Sequence, residues 1–170
     1  MAVIEKFLGR SVEIPEDRLY DPKSGVWAQI SGQEIVFGLS RPALILIGGI
    51  NDLEWLASNE QKVEKGETVM FAITGKILYL DTPVSGTITF NPDIKASLSR
   101  ITEDPYGGGW LFRVKPAEDP AHTLTHLADA AAYVENLKSS EGCKNPEGLK
   151  GGVSGICKAV YSGIREQKIS

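Results

Sequence analysis

From Tyr20 to Val114 the chain is a succession of short β-branched or aromatic runs, each cut off by Gly, Asn, Asp or Pro before it reaches helical length. Runs of that kind at a spacing near 8–12 residues fold as a sandwich or barrel. The expected strands are Val26–Ile30, Glu34–Leu39, Ala43–Ile47, Asp52–Leu56, Thr68–Ile73, Lys76–Asp81, Gly86–Phe90 and Gly109–Val114, with turn signals at Ser31-Gly32-Gln33, Lys65-Gly66-Glu67 and Thr74-Gly75. A length of 170 residues predicts one compact domain with a terminal appendage, since domains run to ~100–200 residues. The first nineteen residues show no clear period and read as a lead-in to the β unit, which occupies 20–138.

After Lys115 the pattern changes. Asp119 as N-cap, Pro120 at the first helical position and the Ala-rich run that follows predict one helix over Ala121–Leu137. Ser139–Gly152 reads as a loop, being rich in Ser, Gly, Asn and Lys. Val153, Ile156, Cys157, Val160, Tyr161 and Ile164 recur at i, i+3 and i+4, the mark of an amphipathic helix of about four turns. Residues 139–170 are therefore expected to form a C-terminal extension.

Charge and hydropathy exclude several classes of partner. Eighteen basic against 22 acidic residues give a net charge of −4, which offers no footprint for sequence-independent phosphate binding, so nucleic acid is not expected. No apolar run approaches the ~18 residues of a membrane span, the longest being Pro42–Ile50. Glu5, Lys6, Arg10 and Glu13 interrupt the N-terminus where a signal peptide needs an apolar core, which leads to the expectation of a cytoplasmic protein. No paired carboxylates, Ser-His-Asp order or metal cluster can be given a catalytic role, so the chain is read as non-enzymatic.

The most informative stretch runs from Val63-Glu64-Lys65-Gly66-Glu67 through Thr68–Ile73, Thr74-Gly75 and Lys76–Asp81 to Thr82-Pro83-Val84-Ser85-Gly86. It describes a turn, a strand, a tight turn, a return strand and a second turn. A lysine at such a tip has a fixed backbone and a free four-carbon stem, which is what a swinging-arm carrier requires. The plainer reading of Lys76 is a solvated lysine beside a hairpin turn.

Three segments together resemble the lipoyl-carrying H-protein family of the glycine cleavage system, within the biotinyl/lipoyl carrier superfamily. They are the Val63–Glu67 turn with the Thr82–Gly86 closure, the run Glu103-Asp104-Pro105-Tyr106-Gly107-Gly108-Gly109-Trp110-Leu111-Phe112, and the helix ending near Ala131-Ala132-Tyr133. The resemblance implies a mostly β fold, a flattened β-sandwich of the barrel-sandwich hybrid type with a C-terminal helix. It also implies lipoate amide-linked to a hairpin lysine, and partners among enzymes of a lipoate-dependent pathway such as the glycine cleavage complex or sulfur metabolism.

In that family the modified lysine lies eight residues ahead of the proline, with a glutamate three residues further upstream. Here those positions are Gly75 and Ala72, and Lys76 falls one residue late. A one-residue slip turns a strand side chain to the opposite face. Either the return side of the turn is one residue shorter, which brings Lys76 to the tip, or the attachment site is lost and the chain is an unlipoylated binding or regulatory module. Ser24-Gly25-Val26 precedes Trp27 where the family usually has a His-Glu pair, which sets docking to the usual partners apart.

Three further features have both a functional and a structural reading. Asp104-Pro105 followed by three glycines requires positive φ or close backbone approach, and with no helix or GK[ST] after it this is not a phosphate loop. His122 and His126 lie four apart on the expected helix, a spacing that can serve one metal but without an intervening HExxH glutamate, so a solvated helix face is the expected role. Cys143 and Cys157 are the only cysteines; they read either as a dithiol exchanging with a group on Lys76, or as an exposed loop thiol and a small buried hydrophobe.

Overall fold

The computed structural model describes residues 1–148. The expected helix over Val153–Ile164 and Cys157 lie outside the described residues.

The β unit is a flattened sandwich. Its larger layer is a six-stranded antiparallel sheet in the order β3 (Leu19–Tyr20), β4 (Val26–Ser31), β5 (Glu34–Leu39), β11 (Phe112–Lys115), β10 (Gly86–Phe90), β7 (Gln61–Val63). The smaller has β6 (Asp52–Trp55), β8 (Thr68–Ile73) and β9 (Ile77–Asp81). Alternating inward residues from both layers, among them Ile35, Phe37, Leu53, Ala72, Leu80, Ile88, Phe112 and Val114, form the main core. Alternation fails once on β8, where Val69 and Met70 are consecutive and both buried. A bulge explains it: the β8–β9 register passes from Thr68–Asp81 to Met70–Leu80 and leaves Val69 as the extra residue.

Three expectations are corrected. The run Ala43–Ile47 is not a strand but part of helix α1 (Arg41–Ile47), capped by the Ser40 side chain, which accepts from the Ala43 N–H, and closed by Gly48 in the left-handed region. The single helix expected over Ala121–Leu137 is two, α3 (Pro120–Thr123) and α4 (Ala130–Leu137), parted by a segment whose Ala128 bridges to Tyr20. Asp129, not Asp119, provides the side-chain cap of the longer helix, to the Ala132 N–H. The loop expected over Ser139–Gly152 contains a further short helix, α5 (Glu141–Lys144); α2 is Ser99–Glu103.

The segment without a period folds as a hairpin, β1 (Ala2–Phe7) and β2 (Arg10–Ile14). Its apolar side builds a second core with Tyr20, Trp27, Tyr133 and Leu137, in which the rings of Tyr20 and Tyr133 stack with centroids 4.7 Å apart. Gly142 of α5 seats against Phe7 so closely that a Cβ would fall 2.2 Å from the ring.

The Asp104–Gly109 turn joins the two cores. None of its three glycines has a positive φ, and two are required instead by close approach: a Cβ on Gly109 would lie 2.4 Å from the Arg100 carbonyl oxygen, and one on Gly107 2.6 Å from an Asp104 carboxylate oxygen. That carboxylate accepts the Gly108 N–H at 2.8 Å and the Asp104 carbonyl accepts that of Gly109 at 2.8 Å. Pro105 then offers its carbonyl to the indole N–H of buried Trp27 at 3.0 Å, and the Tyr106 hydroxyl donates to the Glu13 carbonyl at 3.1 Å. The segment is structural.

Candidate functional site

The β8–β9 hairpin closes on the pair Ile73–Ile77, so its loop is Thr74-Gly75-Lys76. Lys76 is the last residue of that loop and is exposed. Between the Thr68–Asp81 and Ile73–Ile77 pairs the outgoing strand takes one step more than the return strand, and Val69 is the surplus residue. The return strand is thus one residue shorter than the outgoing strand, and the bulge takes up the difference inside the sheet, away from the turn.

The backbone of the tip is held while the lysine stem is not. The nearly buried Thr74 hydroxyl accepts the Lys76 N–H at 3.2 Å and donates to the Lys76 carbonyl at 3.1 Å, and that carbonyl also accepts the Thr74 N–H at 2.7 Å. Asn51 clasps the turn from β6's side: its backbone N–H donates to Ile73 O at 2.7 Å and its amide to Thr74 O at 3.0 Å. Nothing lies within 4 Å of a Cβ built on Gly75, so no neighbouring element overhangs the tip. Ile73, Ile77 and Tyr79 flank the lysine as an apolar skirt, with Tyr79 60% exposed. Ile73, not a glutamate, stands three residues ahead of Lys76. An exposed primary amine on a fixed turn, with open space around it, fits attachment of a carboxylic-acid cofactor through an amide.

Sequence reasoning finds Lys76 but misses Asn51, whose only signal is an Asn after Gly48-Gly49, and misses Thr74 as a clasp. The other expected residues lie elsewhere. Cys143 is not an exposed loop thiol: it is half-buried on α5 and packs with the second core, whereas Lys76 stands on the smaller sheet. His122 and His126 do not share a helix, since α3 ends at Thr123. Both line an open cleft of about 740 Å³ beside the Val63–Glu67 and Pro83–Gly86 turns. Burial, followed by the field of Lys65, pulls the His126 imidazole below its ordinary range. Among the described residues no three His, Cys, Asp or Glu side chains stand close enough to hold a metal ion.

With the hairpin placed, likeness to known proteins becomes informative. The family model for the glycine cleavage H-protein matches residues 18–140. The chain belongs to the glycine cleavage H-protein family. It is 35% identical over 130 residues to the glycine cleavage system H protein of Magnetococcus marinus, covering 75% of this chain and 90% of that one. To the glycine cleavage system H protein of Thermus thermophilus it is 34% identical over 130 residues, covering 75% and 98%. The crystal structure of a glycine cleavage system H protein from Mycobacterium marinum superposes with a TM-score of 0.61 at 26% identity, covering 72% of this chain and 97% of that one. H-family proteins are carriers of a covalently attached lipoyl group that shuttle a cargo between enzymes. No helix among the described residues is long and apolar enough to cross a membrane.

Proposed function

We propose that this chain carries lipoate on Lys76 and serves as a non-catalytic shuttle. The observation that supports the reading is the place of Lys76 as the exposed last residue of a backbone-pinned hairpin loop. When amide-linked, lipoate supplies a dithiolane whose sulfurs take up and release a group or electrons. The chain's own contribution is positional. Thr74 and Asn51 fix the point of attachment, the lysine stem provides reach, and the Ile73, Ile77 and Tyr79 skirt gives partner enzymes an apolar surface around the arm.

Intact-mass spectrometry with peptide mapping, on protein from its native host or from cells that co-express a lipoate ligase, tests this. One lipoyl increment mapped to Lys76 and absent from Lys76→Ala is the expected result. An unmodified chain from the native host overturns it in favour of an unlipoylated binding module.

The partners we propose are enzymes of a lipoate-dependent pathway, the glycine cleavage enzymes first. One observation favours a second reading, in which the partners are other lipoate-dependent enzymes, those of sulfur metabolism being one class. Gly25 has a φ of +76°, and a Cβ there would sit 2.4 Å from that of Ala43, so no side chain can replace the family's usual pair at this point without moving α1. Loss of aminomethyl transfer with purified glycine cleavage enzymes, despite full lipoylation, would exclude those partners and leave the second reading.

A further inference from the structure

The cleft that holds His122 and His126 is built from the far end of the carrier hairpin. Thr68 and Ile73 bound β8, so the turns at its base lie about 17 Å from the tip at ~3.4 Å per residue. The two turns there are tied together, with the Gly66 N–H donating to Thr82 O at 2.8 Å and the Lys65 N–H to the Ser85 hydroxyl at 2.7 Å. One wall is the outer face of the six-stranded sheet, where the register puts Lys62, Thr87 and Lys115 opposite one another on neighbouring strands. Residues directly opposite in antiparallel strands share a face, so both lysines project on the same side as the Thr87 hydroxyl, with backbones about 9.5 Å apart across two strand spacings. Lys65 adds a third ammonium from the turn, and the histidines approach from the 116–126 segment.

Ammonium groups gathered on one face give it a positive field that draws anions. Among the described residues none of Lys62, Lys65 and Lys115 has an acidic partner within ion-pair distance, although six ion pairs form elsewhere. Glu64 and Glu118 also line the cleft, leaving three lysines against two carboxylates. The remaining lining includes Pro83, Pro116 and the buried Val84, an apolar wall beside the cationic row. A volume of about 740 Å³ exceeds what an inorganic ion needs and lies within the ~300–1,000 Å³ range of small-molecule sites.

We infer that this cleft is a binding site for a small organic anion with two charged groups, a diphosphate or dicarboxylate whose charged groups bridge Lys62 and Lys115 over the Thr87 hydroxyl while its body rests on Pro83 and Pro116. The site is separate from the lipoyl arm and does not rest on the carrier reading.

Isothermal titration of the full chain at low salt with ADP, inorganic pyrophosphate, succinate and adenosine tests the inference. ADP should bind with a dissociation constant of about 1 mM or tighter. Pyrophosphate or succinate should compete, their order telling phosphate from carboxylate chemistry, and uncharged adenosine should not bind. The Lys62→Gln/Lys115→Gln double variant should lose at least tenfold in affinity, whereas Lys95→Gln, on the smaller sheet's side, should bind as the parent does. Absence of binding by all three anions up to about 10 mM, or equal affinity in the double variant and Lys95→Gln, overturns the site. Circular dichroism of each variant confirms that the comparison is between folded chains.

Discussion

The hydroxyl of Tyr133 on α4 lies 2.6 Å from that of Ser40, the residue that caps α1. A single buried contact thus joins the second core to the cap of the helix that precedes β6. Tyr133→Phe removes it while keeping the ring that stacks on Tyr20. Ser40 still accepts the Ala43 N–H, so the loss is one buried hydrogen bond, about 1–2 kcal/mol. The urea midpoint should fall with no change in slope.

Gly38 is defined by contact with Trp27. A Cβ there would lie 2.5 Å from two atoms of the indole, which is locked in place by its bond to Pro105. Gly38→Ala should therefore destabilise the protein by about 1–3 kcal/mol through overpacking. A shift in tryptophan emission should accompany the loss, as the indole is forced from its buried seat.

These contacts show what the sequence can and cannot convey. The hairpin from Thr68 to Asp81 is legible because its two runs of β-branched and aromatic residues and the Thr-Gly turn between them agree with each other. Ala43–Ile47 misleads because Leu-Ile-Leu-Ile suits a strand as well as a helix; the deciding signals are the Ser40 cap, Pro42 and Gly48 at either end. The N-terminal hairpin is illegible for a different reason. Its turn places Leu8 at a φ of +49° beside Gly9 at +79°, a conformation usually announced by Asn-Gly. Here the turn is imposed from outside, by the Leu8 and Gly9 N–H groups donating to the carbonyls of Gly142 and Pro146. At the site, Lys76 is visible as a residue type, but the Val69 bulge at the base of its hairpin depends on β8–β9 pairing and has no local mark.

Alkaline pH should unfold the second core. Burial pushes the Tyr106 phenol up to about 12, outweighing the Arg41 N–H and the positive charges of Arg41 and Arg18. A phenol whose folded pKa is raised keeps the proton longer in the native state, so its contribution is complete below the unfolded value near 10 and is lost as pH rises toward 12. Tyr106→Phe forfeits the bonds to Arg41 and Glu13 and should be less stable at pH 7. Its stability should nevertheless fall less steeply than the parent's between about pH 9.5 and 11, which denaturant titrations across that range would record.

The bulge itself can be tested by removing it. Without Val69, Thr68 would follow directly into Met70, and the existing pairs Thr68–Asp81 and Met70–Leu80 would become consecutive in a regular ladder. The Ile73–Ile77 closure and the Thr74-Gly75-Lys76 loop would be untouched, so modification of Lys76 should persist in peptide maps. Stability should fall by about 1.5–3 kcal/mol, because a fully buried valine side chain leaves the core. A folded deletion variant that loses modification would mean that the bulge orients the tip, through the twist it adds to β8, rather than only accommodating a surplus residue in the outgoing strand.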